Sequence, residues 1–130
     1  MDIAPHELLR AIRLPRTTTE PLRHYYRKVG TRKAQAISKV CFAGVARTLE
    51  NRIAKARIAL GSVAPVPIRC HRTEQALENK LLTNELIEDA LQTLTAEIAP
   101  IDDVRSTKNY RLRVSLNLLQ DFLLELKASS

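Results

Sequence analysis

The spacing of apolar positions changes character near Arg72. Upstream, side chains alternate. Ala54, Ala56, Ile58 and Leu60 are interleaved with Lys55 and Arg57, which predicts a half-buried antiparallel strand over Ile53–Val63. Ile37 to about Arg52 reads as extended, with Val40 and Phe42 on one face and Lys39, Cys41 and Arg47 on the other. Leu49–Arg52 then forms the hairpin turn, with Asn51 at its tip. Gly61–Pro65 breaks the strand, and Val66–Arg69 resumes beside two prolines as a short edge strand. An isolated strand is also predicted at residues 7–14, where Leu8, Ile12 and Leu14 alternate with Arg10 and Arg13.

Downstream the period becomes helical. Thr73 is placed to cap a helix beginning at Glu74. Thr83 or Asn84 opens a second helix, whose stripe is Leu86, Ile87, Ala90, Leu91, Leu94 and Ile98 and which Pro100 ends. Ser106 or Thr107 opens a third. It carries one stripe of Leu112, Leu116, Leu119 and Leu123 and another of Tyr110, Val114, Leu118, Phe122 and Leu126, so burial on two sides is expected. Strands first and helices last predict an α+β fold: an antiparallel sheet of three to four strands with three helices packed on one face.

Composition sharpens this. At 130 residues and 45% hydrophobic, the chain has the size and apolar content of one globular domain. No apolar run is long enough to span a bilayer, and the N-terminus lacks the basic start and apolar core of a secretory leader, so a cytoplasmic protein is expected. The net charge of +7 is polarised: residues 1–72 hold 15 Lys and Arg against 4 acids, whereas residues 73–130 hold 6 against 10. The basic half predicts a surface for anions. Two cysteines can hold neither a structural zinc site nor a four-cysteine cluster. Cys70 and His71 are neighbours, but on a strand they would point to opposite faces, so Cys70 reads as a buried, inert thiol.

The candidate binding chemistry lies in His24–Val40. Arg27, Lys28, Arg32 and Lys33 flank Gly30, with Tyr25 and Tyr26 just ahead. Cations beside aromatic rings suit an anionic ligand with a flat ring, either a flavin nucleotide or a nucleic acid. Asp102 and Asp103 are adjacent, but at the entry to the last helix they read as capping and dipole partners.

Three segments resemble the C-terminal domain of the FAD-binding subunit of molybdenum hydroxylases, the xanthine dehydrogenase and carbon monoxide dehydrogenase flavoprotein family. They are Tyr26–Val40, Ala59–Pro65, and Pro100–Thr107 followed by Tyr110-Arg111. The resemblance implies a leading strand and connector over residues 1–20, arriving from a preceding FAD domain, and the α+β domain over 21–130. It implies Lys28, Arg32 and Lys33 as the cofactor-side residues. Its implied partners are the FAD-domain portion of the subunit, an iron–sulfur subunit and a molybdenum-binding subunit. The domain would complete one side of the flavin pocket without catalytic residues of its own, while electrons pass from the molybdenum centre through iron–sulfur clusters to FAD.

Only Gly30, Gly44 and Gly61 are present, widely spaced, so no glycine-rich turn cradles a pyrophosphate. The alternative is a small basic nucleic-acid-binding module, or a stand-alone interaction module, using residues 23–39 with Lys55 and Arg57. An aromatic content of 4%, with no stacking platform in the strands, argues against nucleic acid. The isolated chain is therefore expected to purify colourless and to bind added FAD weakly at most. Stoichiometric flavin in its absorbance spectrum would contradict the reading.

Overall fold

The computed structural model describes residues 4–13, 22–32 and 36–129. Among these, β1 (Arg23–Gly30), β2 (Ser38–Leu49), β3 (Arg52–Gly61) and β4 (Ile68–Arg69) form an antiparallel sheet in sequence order. The helices α1 (His71–Leu77), α2 (Asn84–Glu97) and α3 (Lys108–Ala128) follow. Val40, Phe42 and Ala46 of β2 and Ala56, Ile58 and Leu60 of β3 are buried beneath the helices. Residues of the opposite parity, among them Tyr26, Lys28, Cys41 and Ala43, lie on the face turned away from them.

The hairpin turn falls at Leu49–Arg52 as expected, with Asn51 at its tip, but the two strands do not run in simple register. Glu50 and Asn51 both adopt positive φ, at 47° and 59°, the conformation a tight two-residue hairpin turn requires. Just beyond it Arg47 pairs with Lys55 but Thr48 pairs with Ile53, so Ala54 is the extra residue of a β-bulge. Ile53, rather than the expected Ala54, therefore enters the core. The basic stretch is also less of a loop than its composition suggests, because residues up to Gly30 belong to β1, paired with β2 from Arg23↔Ala46 onward.

The outer edge of β3 is closed by a side chain. β4 pairs only with Ala59 and Leu60. Further along, the amide of Ile58 donates to Glu74 Oε1 at 2.8 Å, and Asn79, Lys80 and Leu82 continue the pairing towards the hairpin. Glu74 is buried, and its carboxylate receives Arg69 through Nε at 2.8 Å and Nη2 at 3.0 Å. Burial alone would raise its pKa; the Arg69 guanidinium and the Ile58 amide overcome this and hold it below the usual carboxylate range.

α1 begins at His71, two residues before the expected Thr73 cap. Its first amides are satisfied by Glu97 at the end of α2, which accepts from Arg72 N at 2.8 Å, Thr73 N at 2.9 Å and the Thr73 hydroxyl at 2.7 Å. Thr83 does cap α2, and Thr107 caps α3. The expected strand at residues 7–14 does not form in this chain. Glu7–Arg13 lies outside any strand, with Leu8, Leu9 and Ile12 exposed, because no neighbouring edge pairs its backbone. Leu14 and the connector Arg16–Pro21 fall outside the described residues.

α3 crosses β2 through Phe122, whose ring meets Tyr25 and Phe42 at centroid separations of 5.7 and 5.8 Å. Gly44 makes this approach possible, since a Cβ there would lie 2.9 Å from ring carbons of both phenylalanines. At Gly61 a Cβ would meet only the Cys41 Cβ, at 3.4 Å. Gly44→Ala is therefore expected to destabilise the fold by about 1–3 kcal/mol through overpacking. Gly61→Ala should stay within about 0.5 kcal/mol of the parent. Urea unfolding of the two variants checks both values, and equal midpoints would refute the close-approach argument.

Candidate functional site

Three segments distant in sequence meet at the end of the sheet where β1 passes into β2. The Ser38 and Ser62 hydroxyls lie 2.8 Å apart, and the Ile101 amide donates to the Val63 carbonyl at 3.2 Å. Arg111, 2% exposed, ties them together: Nη1 donates to the Ser62 carbonyl, and Nη2 pairs with Asp103 Oδ1 at 2.6 Å. Ser62 itself is left-handed, at φ 64°.

Asp103 Oδ1 also accepts the amides of Arg105 at 2.8 Å and Ser106 at 3.0 Å, which closes a tight turn. The Arg111 guanidinium beside it, aided by those amides, holds its carboxyl below the ordinary range. Of the two adjacent aspartates, only Asp102 serves the helix start, accepting from the Lys108 amide at 2.6 Å. Asp103 serves the buried arginine instead.

Two cavities open at this end and share Arg105. The first, about 420 Å³, is lined by Arg32, Ile37, Lys39, Val104 and Arg105 among others. Lys39 Nζ stands 5.1 Å from the Tyr110 ring centroid. The second, about 570 Å³, reaches Cys41, Gly61, Ser62, Ile101, Arg105 and Arg111. Arg111 Nε is buried and has no hydrogen-bond partner. The charged side chains lining the two cavities are Arg32, Lys39, Arg105 and Arg111 against Asp103 alone, and Asp103 is already paired. The surroundings are cationic, with apolar walls.

The expected site residues distribute as follows. Lys28 is exposed and pairs laterally with Cys41, which pairs in turn with Gly61 of the second cavity, so Lys28 stands in the same row of the sheet. Arg32 is exposed and lines the first cavity. Lys33 lies outside the described residues. Arg27 faces the helices, 4.8 Å from the Tyr25 ring centroid and 3.6 Å from Glu125. Arg105 and Arg111 were not singled out for the site. Both belong to the third segment of the family resemblance, Pro100–Thr107 followed by Tyr110-Arg111, but neither was assigned a role there.

Other candidate chemistry recedes. Cys70 is fully buried at the start of α1, and burial pushes its thiol up to about 12, while His71 points to solvent. The two diverge as expected, though at a helix start rather than on a strand. Arg57 donates to Glu78 Oε1 at 2.6 Å, so one of the two cations of the expected Lys55 and Arg57 face is held by a carboxylate. Among the described residues no group of three or more His, Cys, Asp or Glu is placed to hold a metal, and no helix is long and apolar enough to cross a membrane.

Because the Glu74 and Asp103 carboxyls are both depressed, their contribution to stability is present above their unfolded values near 4 and is lost as pH falls through the folded ones. Urea midpoints should fall progressively below about pH 4, and a Glu74→Gln/Asp103→Asn variant should show a flatter acid limb. An identical acid limb in the variant would contradict this. Arg111→Met, which strands Asp103 and frees the Ser62 carbonyl, should cost about 2–4 kcal/mol and speed amide exchange at Arg105 and Ser106 first.

Residues 24–126 match the family model described as the CO dehydrogenase flavoprotein C-terminal domain. The chain is 27% identical over 124 residues, 95% of its length, to a xanthine dehydrogenase FAD-binding subunit of Escherichia coli O157:H7, and it spans 42% of that relative. Among solved structures it is similar to a carbon monoxide dehydrogenase chain from Hydrogenophaga pseudoflava, with a TM-score of 0.70 and 27% identity, covering 77% of this chain and 34% of that one. The fold also matches quinoline 2-oxidoreductase from Pseudomonas putida 86, with a TM-score of 0.72 and 22% identity, covering 83% of this chain and 38% of that one.

Proposed function

Since the chain belongs to the CO dehydrogenase flavoprotein C-terminal domain family, we propose that it acts as the C-terminal domain of the FAD-binding subunit of a xanthine dehydrogenase-type molybdenum hydroxylase. In this reading it completes one side of the flavin pocket and docks to partner subunits that carry electrons from a molybdenum centre through iron–sulfur clusters to FAD. The observation that carries the reading is the convergence of Arg32, Ile37 and Lys39 with Gly61–Pro65 and with Asp103, Arg105 and Arg111 on one open, cationic end of the sheet.

The residues present fit a wall against FAD. Arg32 and Arg105 offer positive charge to an anionic cofactor, Ile37 and Val104 offer apolar surface, and Arg111 keeps an unused buried donor. They do not supply a grip on the pyrophosphate, for which a close-packed run of backbone N–H groups is needed; Gly44, one of the three glycines, is packed under Phe122. That grip belongs to the preceding FAD-domain portion, from which residues 1–20 lead in. When bound, FAD supplies the redox chemistry. This chain's part is to orient the cofactor with Lys28, Arg32 and Lys33 and to exclude water with the apolar walls.

With the FAD-domain portion recombined, Arg32→Ala and Lys28→Ala should each weaken flavin retention about tenfold, equivalent to ~1.4 kcal/mol, without lowering the domain's Tm. Equilibrium dialysis of FAD checks this. Retention unchanged in both variants would remove them from the cofactor side.

A further inference from the structure

We propose that the outward face of α3 pairs with the same face of a second copy of this chain, the two helices running antiparallel about Asn117. The inward side of α3, with Arg111, Ser115, Leu119, Phe122 and Leu126, is buried against the rest of the domain. On the opposite side stand Tyr110, Arg113, Asn117, Asp121 and Leu124, all exposed. Successive spacings of three, four, four and three residues keep these five on one stripe of the helix. The inference is independent of the flavin reading.

The spacing reads the same from either end. Arg113 and Asp121 each stand four residues from Asn117, and Tyr110 and Leu124 each stand seven. A two-fold axis passing beside Asn117, perpendicular to the helix, therefore sets Arg113 of each copy opposite Asp121 of the other. The same axis sets Tyr110 opposite Leu124 and brings the two Asn117 carboxamides together. An interface between identical copies must be self-complementary in this way.

Each contact has a physical warrant. The chain as a whole carries +7, which opposes self-association, but this stripe holds one cation and one anion placed to meet. Among the described residues neither Arg113 nor Asp121 has an ion-pair partner in its own chain, whereas the neighbouring Glu125 and Lys127 engage Arg27 and Asn84. Tyr110 and Leu124 are 41% and 45% exposed, so each offers apolar surface to cover. A carboxamide both donates and accepts, and an asparagine in a helix–helix seam fixes register. Beside the stripe runs a groove of about 330 Å³ lined by Asn109, Leu112, Leu116 and Asn117 among others, against which the axis brings Leu124 of the second copy. One helix pair is a small interface, so the dimer belongs to the weak, transient class.

Sedimentation equilibrium of the full chain, from micromolar to millimolar protein, should give a mass rising from 14.7 kDa towards twice that value. Arg113→Glu and Asp121→Arg should each weaken association about tenfold, and Leu124→Glu should abolish it. The double variant Arg113→Glu/Asp121→Arg should restore it, because the reversed charges still meet across the axis. All three positions are exposed, so the far-UV circular dichroism of every variant should match the parent.

A chain that stays monomeric at millimolar concentration would overturn the proposal, as would a double variant that fails to recover. So would a dimer indifferent to both charge reversals and lost instead when residues 4–13, with their exposed Leu8, Leu9 and Ile12, are removed.

Discussion

One buried guanidinium holds the functional end of this molecule together. Arg111 sits in the first turn of α3, where the apolar stripes of that helix predict Tyr110, Leu112 and Val114 to supply the core contacts. Instead Tyr110 is exposed, Leu112, Val114 and Leu116 are half-buried, and Arg111 and Ser115 turn inward. The reason is electrostatic. A left-handed residue, Ser62, leaves a carbonyl at the end of the sheet, and the Asp103 turn leaves a carboxylate beside it. A fork-shaped, permanently charged donor satisfies both at once, which no apolar side chain could do. The polar burial costs desolvation, and it fixes three remote segments in one place.

The same solution appears on the other side of the sheet. β3 would present an open edge beyond its two-residue pairing with β4. Glu74 closes it by accepting a strand amide, and Arg69 neutralises the carboxylate. At both places a side chain completes backbone pairing and a guanidinium or carboxylate partner makes its burial tolerable. The apolar core between them, built on Phe42 and Phe122 above Gly44, needs no such help.

Much of the fold was legible because periodicity reports burial. The β2–β3 hairpin, the stripe of α2 and the Thr83 and Thr107 caps all follow from local pattern. The failures share a cause: each depends on a partner remote in sequence. The bulge at Ala54 turns Ile53 inward, where its backbone pairs with Asn79 and Lys80, more than twenty residues on. α1 starts early because Glu97, more than twenty residues on, caps it. Residues 7–13 alternate like a strand but find no edge. At the site, the basic stretch drew notice through charge density, whereas Arg105 and Arg111 did not, since one arginine on a turn and one in a helix carry no local mark of their roles. Charge in the first half of the chain pointed to an anion surface, and the arginines that complete it come from the acidic half.

The central claim is that this domain covers one side of a flavin held mainly by another portion of the subunit. Iodide quenching of flavin fluorescence in the FAD-binding portion, measured before and after this chain is added, tests it most directly. The account predicts that quenching falls as the cationic end of the sheet closes over the ring. A complex that forms while the flavin stays as accessible to iodide as before would contradict it.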